Sequence, residues 1–260
     1  MKRKKIRLPA KPALLTAVIF IAAVIIIRYI VITLKRSDYF RIKEVVLKNQ
    51  EEGFDSSRFL GRSIFDLDLE KESGRVTQLY PVYKDIRLFR VLPDRLVIVF
   101  NERKPLACVK LYKYFYVDRD GVLFGPGKGE EFRVLPVIRG LENRIRGPEP
   151  GRRYNIKELT GALDIIKQIG EDPLLARSRI ERIDVSDPVN ILCLIRVSDA
   201  DVETGASGPP ALEVRLSNNG IAEQVRILSG LFAQLNKEMG NIKYVDLRFK
   251  EPVVRFKNVK

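Results

Sequence analysis

Residues Ala13 to Leu34 read ALLTAVIFIAAVIIIRYIVITL, and Arg28 is the only charged side chain among them. As an α-helix rising about 1.5 Å per residue, this segment would be about 33 Å long, enough to cross a hydrocarbon core of about 30 Å. A helix buried in a soluble domain is rarely apolar on every face. Arg28 lies near the C-terminal end, from which its long side chain can reach the headgroups. The segment therefore predicts one transmembrane helix at residues 13–34.

Positive charge is concentrated on either side of this segment. Residues 1–36 contain nine Lys or Arg and no Asp or Glu, so the rest of the chain accounts for only +5 of the formal net charge of +14. By the positive-inside rule, the basic tail at residues 1–12 stays in the cytoplasm and everything after about Ser37 lies outside it. A cleaved signal peptide is the alternative, but the apolar stretch is long for one and no small-x-small cleavage site follows it before Lys35. We therefore expect an uncleaved anchor, with the bulk of the chain periplasmic or extracellular.

The composition argues against most enzymatic chemistry. The sequence contains no His, which removes the commonest general base, the usual partner of a Ser or Cys nucleophile, and the commonest metal ligand. Cys108 and Cys193 are too few for a disulfide framework or a four-cysteine zinc site, and we expect two separate buried thiols. The modest charge of the exported part also argues against nucleic-acid binding. We predict no catalytic, cofactor-binding or metal-binding residue.

The region directly after the anchor, residues 38–106, has the pattern of a small β-α-α-β-β domain. The expected elements are, in order, a strand at residues 40–47, a short helix after Gly53, a helix within residues 64–79, and a hairpin of strands at residues 84–91 and 95–101. The second hairpin strand alternates inward positions (Leu96, Ile98 and Phe100) with outward ones, which is the period of a half-buried strand.

The remaining region, residues 107–260, predicts a mixed β domain with two helices. Strand-like segments occur near residues 107–118, 122–124, 180–185, 190–197, 211–216, 242–249 and 253–256. The first helix is expected after Asn155, because Glu158 follows it at the spacing of a capping box, and its apolar stripe comprises Leu159, Leu163, Ile166 and Ile169. The second helix has the stripe Ile221, Val225, Leu228, Phe232 and Leu235. The whole chain is therefore expected to be α+β.

Several short motifs follow the anchor in a fixed order. They are Phe40-x-Ile42-x-x-Val45-x-Leu47, the stretch Gly61–Leu69, Pro81 through Pro93, Glu102-Arg103-Lys104-Pro105-Leu106-Ala107, Val117-Asp118-x-x-Gly121-Val122-x-Phe124, Leu135-Pro136-Val137-Ile138-x-Gly140 and Tyr244–Phe249. Together they cover almost the whole chain and resemble the FtsQ/DivIB family of bacterial cell division proteins. Two positions depart from the family pattern: Asn49 stands where a Gly is usual, and Ser217 follows Leu216 where Leu-Gly is common.

The resemblance implies a non-enzymatic scaffold with one transmembrane helix, a POTRA domain at residues 38–106 and a β domain at residues 107–260. Its partners would be FtsB/DivIC-like and FtsL-like division proteins, bound through the far end of the β domain. The POTRA domain would recruit other divisome proteins, and the bilayer would hold the single helix. No nucleic acid and no cofactor are expected. The protein would then sit in the cell membrane at the division septum and regulate septal wall synthesis.

The candidate partner-binding residues lie in the segment Ile242–Phe249. They are Tyr244, Val245, Asp246, Leu247, Arg248 and Phe249. In a strand, Val245, Leu247 and Phe249 would face the core, and Tyr244, Asp246 and Arg248 would face a partner or water. If this strand lies at the edge of its sheet, its free backbone groups can accept an incoming strand. An ordinary interior strand is the alternative.

Two other functions fit parts of the sequence. A POTRA protein of secretion or envelope assembly is one, although such proteins usually repeat the module. A membrane-anchored cell-wall enzyme is the other, and without His it would depend on carboxylates converging in a cleft.

Overall fold

The structure, a computed structural model, describes residues 10–49, 53–126, 134–196, 211–235 and 241–257. Most of the basic tail at residues 1–12 lies outside these ranges. The chain folds as two units: one comprises Met1–Leu79 and Tyr83–Glu102, and the other comprises Tyr80–Val82 and Arg103–Lys260. The fold class is α+β, as predicted. The domain ranges 38–106 and 107–260 stay a prediction.

The first unit begins with a long apolar helix, α1 (Ala10–Arg36). The segment Leu15–Lys35 has a mean hydropathy of 2.8, and all of its side chains are exposed. Among the described residues it is the one helix long and apolar enough to cross a membrane. Near its end, Lys35 Nζ lies 3.0 Å from a carboxylate oxygen of Asp66.

The rest of the first unit is a three-stranded sheet packed against one helix. Its elements are β1 (Glu44–Lys48), α2 (Leu69–Leu79), β2 (Tyr83–Val91) and β3 (Arg95–Glu102). The strand order is β1-β3-β2, with β1 parallel and β2 antiparallel to β3. Leu96, Ile98 and Phe100 are buried, which confirms the predicted alternation. Asp68 caps α2 by accepting a hydrogen bond from Lys71 N at 3.1 Å.

The short helix predicted after Gly53 is present as a 3-10 helix at Ser57–Phe59, and Asp55 Oδ1 accepts a hydrogen bond from Ser57 N at 2.9 Å. It is a single turn long: the chain is extended again at Leu60, and Gly61 follows with φ +75°. The unusual Asn49 at the end of β1 has φ +58°, in the left-handed region that Asn tolerates better than most residues. At this position, where the resembled family usually has Gly, Asn49 therefore adopts a backbone conformation that Gly also favours.

The second unit is built on one nine-stranded sheet with two crossover helices. Its elements are β4 (Ala107–Lys110), β5 (Tyr114–Val117), β6 (Leu123–Pro126), β7 (Val137–Arg139), α3 (Lys157–Glu171), β8 (Arg179–Asp184), β9 (Asn190–Arg196), β10 (Ala211–Ser217), α4 (Ile221–Gln234), β11 (Ile242–Asp246) and β12 (Val253–Phe256). The strand order is β12-β11-β10-β9-β8-β7-β4-β5-β6. The parallel pairs β7–β8 and β10–β11 are the ones joined by helices, as parallel connections require.

The core of this unit lies between the sheet and the two helices. The predicted stripe of α3 is buried, and that of α4 contributes Val225, Leu228 and Phe232. The predicted capping box of α3 is wrong: the helix begins at Lys157 with Ile156 at the cap position, so Glu158 lies one position too early. Its carboxylate instead lies 3.1 Å from the guanidinium of Arg144. Cys108 and Cys193 are separate buried free thiols, as expected.

Candidate partner-binding surface

The segment predicted to bind a partner forms the second strand from one edge of the large sheet. The strand itself, β11, ends at Asp246, so Leu247–Phe249 follow it rather than belong to it. On one side β11 pairs in parallel with β10, with Arg215 opposite Asp246. On the other side it pairs with β12, with Val253 opposite Asp246. The conditional placement of this strand at the edge is therefore wrong, because β12 occupies the edge.

The predicted division into core and outward residues holds only for part of the segment. Val245 and Leu247 are buried in the core as expected. Phe249 is 60% exposed and Asp246 only 4% exposed, the opposite of the prediction for both. Strand alternation applies only while the chain remains a strand, and the chain leaves the sheet soon after Asp246.

The buried carboxylate of Asp246 binds the guanidinium of Arg248. Arg248 Nε donates to Asp246 Oδ1 at 2.8 Å and Arg248 Nη2 donates to Asp246 Oδ2 at 2.6 Å, which is a two-point contact. These hydrogen bonds hold the pKa of Asp246 below its ordinary value, against the opposing effect of burial. The same carboxylate raises the pKa of Arg248. The pair fixes the direction in which the chain leaves β11.

Arg248 also connects this segment to the start of β9. Its Nη1 donates to Asn190 Oδ1 at 3.0 Å, and Asn190 Nδ2 donates to Asp187 Oδ2 at 2.6 Å. Sequence reasoning missed Asn190 and Asp187, because nearly 60 residues separate them from Arg248 and no local pattern links them. The network braces the segment after β11 against a neighbouring loop.

Apolar side chains are exposed on and beside the edge strand. Phe249 is 60%, Val253 46% and Phe256 43% exposed. Phe249 also lines a groove together with Leu247, Arg248, Lys250 and residues at the start of α4. Tyr244 lies under the guanidinium of Arg215, 4.3 Å from the ring centre. Exposed aromatic and aliphatic side chains next to an open strand are typical of a surface that binds another protein.

Among the described residues, no group of three or more Cys, Asp or Glu side chains converges as metal ligands would. Near β11, Asp246 and Arg248 are engaged in the ion pair and hydrogen bonds described above. The surface consists of the edge strand β12, the exposed rings of Phe249 and Phe256, and the hydrogen-bonded segment after β11 that supports them.

Comparison with known proteins bears directly on this unit. The family model described as "Cell division protein FtsQ/DivIB, C-terminal" matches residues 107–248, which is more than half of the chain. The match begins at the first residue of β4 and includes β11.

Similar proteins named "Cell division protein FtsQ" occur in several bacteria. The chain is 27% identical over 216 residues to the protein of Syntrophotalea carbinolica, covering 81% of this chain and 71% of that one. It is 24% identical over 195 residues to that of Geobacter sp. strain M21, covering 75% and 65%. It is 26% identical over 198 residues to that of Koribacter versatilis, covering 75% and 52%. With a matched family model and these relatives, the chain belongs to the FtsQ/DivIB family of bacterial cell division proteins.

Proposed function

We propose that this chain is a non-enzymatic scaffold of the division machinery. It is anchored by α1 with its N-terminus in the cytoplasm, and it binds FtsB/DivIC-like and FtsL-like proteins outside the cytoplasm. Membership of the family and the fully exposed apolar surface of α1 support this proposal. The excess of Lys and Arg before α1 supports the orientation. In this proposal the first unit is a POTRA-type domain, and it recruits other divisome proteins at the septum.

The observation that carries the proposal is the position of β12. It is the outermost strand of the sheet, and β11 is its one neighbour among the described strands. A strand at an edge has backbone N–H and C=O groups free on its outer side, which an extended segment of a partner can pair with. Val253 and Phe256 expose apolar surface on this strand, and such side chains add affinity beyond the backbone hydrogen bonds.

The six residues Tyr244–Phe249 then serve the surface in two ways. The pair of Asp246 and Arg248 positions the chain between β11 and β12, while Val245 and Leu247 attach it to the core. Phe249 is directed to solvent and extends the apolar surface beside the edge. In this proposal Phe249 contacts the partner, and the other five residues hold the binding surface in place.

The test uses the full-length chain reconstituted in phosphatidylcholine nanodiscs. Its dissociation constant for the host's FtsB/DivIC-like and FtsL-like pair is measured for the unmodified chain, for F249A/F256A and for Y112A. Tyr112 is also an exposed aromatic residue, but it lies in the turn between β4 and β5. We expect F249A/F256A to weaken binding by about tenfold or more, since buried aromatic anchors dominate interfaces, and Y112A to leave it within about twofold. Absence of binding by the unmodified, folded chain would refute the proposal.

Hydrogen exchange tests the strand-pairing mode separately. Addition of the partner should slow exchange of the β12 amides that point away from β11, because these become hydrogen bonded to the added strand. The opposite edge of the same sheet, β6, is the internal control and should be unchanged. Binding with no protection at β12 would show that the partner docks by side chains alone.

A further inference from the structure

The face of the large sheet that points away from α3 and α4 carries an ordered set of charged and apolar side chains. They alternate along the strands with the core residues, and we call this surface the outer face. The residues of this face that matter here are Arg139 on β7, Arg182 and Asp184 on β8, Leu192, Leu194 and Arg196 on β9, and Arg215 on β10. The half-buried Leu192 and Leu194 lie at its centre, on β9.

Two arginines on this face form no ion pair with any residue that the structure describes. Arg139 and Arg182 lie on the adjacent strands β7 and β8, where Arg182 is opposite Val137 and Arg139 is opposite Asp184. Within the described ranges, neither guanidinium lies within 4.0 Å of a carboxylate, and the buried Nε of each donates no hydrogen bond. A buried donor without an acceptor costs free energy, so native proteins seldom keep one without a reason.

Asp184 is the carboxylate nearest to both arginines in the strand register, and Ser186 engages one of its two oxygens. Its Oδ1 accepts hydrogen bonds from Ser186 N at 3.0 Å and from Ser186 Oγ at 2.6 Å. Although partial burial would raise the pKa of Asp184, these hydrogen bonds and the more distant charges of Arg182 and Arg139 keep it below its ordinary value. The three groups together carry a net charge of +1, so the site attracts an anion even with Asp184 ionised.

The other arginines of this surface are paired. Arg196 lies 2.6 Å from a carboxylate oxygen of Glu181, and Arg215 lies 2.8 Å from one of Glu213. On the described parts of β7 to β10, the half-buried arginines of this face without an ion pair are therefore Arg139 and Arg182, beside the two leucines of β9. Four strand spacings of about 4.8 Å, or about 19 Å, separate β8 from the edge strand β12.

We propose that Arg139 and Arg182, together with Leu192 and Leu194, bind an acidic segment of a second partner protein that contains both carboxylate and apolar side chains. An arginine fork matches a carboxylate at two points, and the leucines give such a segment apolar surface to cover. This site is separate from the β12 edge and does not depend on the function proposed above.

The test uses the full-length chain in phosphatidylcholine nanodiscs and the labelled peptide acetyl-Glu-Leu-Glu-Glu-Leu-Glu-amide as the probe. Binding is measured by fluorescence anisotropy for the unmodified chain, for R139Q/R182Q and for R119Q/R177Q. Arg119 and Arg177 are exposed residues of the same unit, so the control removes the same charge elsewhere. We expect saturable binding that R139Q/R182Q weakens by about tenfold or more and R119Q/R177Q by less than about twofold.

A second peptide makes the result independent of any effect of the substitutions on folding. In it each Glu is replaced by Gln, and its binding to the unmodified chain should be at least about tenfold weaker. Equal weakening by the two double variants, equal binding of the two peptides, or absence of saturable binding to the unmodified chain would each overturn the proposal.

Discussion

Arg103 Nη1 lies 2.7 Å from Asp118 Oδ2, and the two side chains are only 10% and 7% exposed. The other oxygen of Asp118 accepts hydrogen bonds from Asp120 N and Val122 N, both at 2.9 Å. Arg103 Nε also donates to Pro81 O at 3.1 Å. The pair thus links the chain entering β4 to the turn that follows β5.

Replacing Arg103 by Met should destabilise the second unit. The change leaves Asp118 buried without its counter-charge, and breaking a buried pair in this way costs about 3–5 kcal/mol. The measurement is urea unfolding of the full-length chain in detergent micelles, followed by far-ultraviolet circular dichroism. R226M is the matched control, because Arg226 forms an exposed pair with Glu223 and should leave the midpoint unchanged. Equal effects of the two substitutions would contradict the structural role of Arg103.

Gly140 should not accept a side chain. Its φ is +92°, and a Cβ atom there would lie 2.3 Å from Ser186 N. Both the strain and the overlap oppose folding, so G140A should lower the unfolding free energy by about 1–3 kcal/mol. Gly170 is in α3 with open space around it, so G170A should instead raise stability by about 0.5–1 kcal/mol. If G140A and G170A changed the unfolding free energy in the same direction, the close approach of Gly140 to Ser186 would not be what requires a glycine there.

The stability contributed by Asp246 should depend on pH. The pKa of Asp246 is lowered in the folded state, chiefly by the hydrogen bonds from Arg248. The unfolded chain therefore binds the proton more readily, and this stabilisation is present above the ordinary pKa of about 3.9 and lost as the pH falls through the folded value. D246N should be less stable than the unmodified chain at pH 7, by about 2 kcal/mol, the size expected for losing a hydrogen bond to a charged group.

The difference in unfolding free energy between the unmodified chain and D246N should become smaller as the pH falls below about 4. Protonation then removes the charge of Asp246 in the unmodified chain as well. Urea midpoints measured from pH 6 to pH 3 check this. E251Q changes an exposed carboxylate near the same edge and should follow the unmodified chain throughout. A gap that stays constant over this range would show that Asp246 acts through its shape and not through its charge.

The two thiols should be unreactive until the protein unfolds. Burial raises the pKa of Cys193 to about 12, and Cys108 is equally inaccessible. At pH 8 only roughly one Cys193 in ten thousand would be a thiolate, and no reagent reaches it. Titration with a disulfide reagent should detect no thiol in the native chain and two after unfolding without reductant. Detection of two thiols only after reduction would reveal a disulfide instead.

Local sequence patterns were sufficient to predict an element where its hydrophobic residues repeat with the period of a strand or a helix. The hairpin of β2 and β3 combines alternating side chains with a Pro-containing turn, and α3 and α4 each have one apolar stripe. The segment at residues 107–118 was expected to be one strand-like run but is divided into β4 and β5. Its turn at Tyr112–Lys113 contains none of the residues that usually mark turns, so the sequence carried no signal for it.

The candidate surface could be located from the sequence only as a segment. Whether β11 or β12 lies at the edge depends on pairing between strands far apart in the chain, which no local period encodes. The exposure of Phe249 and burial of Asp246 depend on where β11 ends. That Arg139 and Arg182 are neighbours depends on the parallel pairing of β7 with β8. Such properties arise only when the strands are assembled.

The position of β12 also determines how the chain tolerates damage. Because β12 follows the other described strands of this sheet in the chain, a ribosome has made those strands before the outermost one emerges. A chain truncated or cleaved after Asp246 would keep both crossover helices but lose the strand that covers β11. The backbone of β11 would then be an unprotected edge, a known starting point for aggregation. Truncation would therefore replace the strand proposed to bind a partner with an edge prone to self-association.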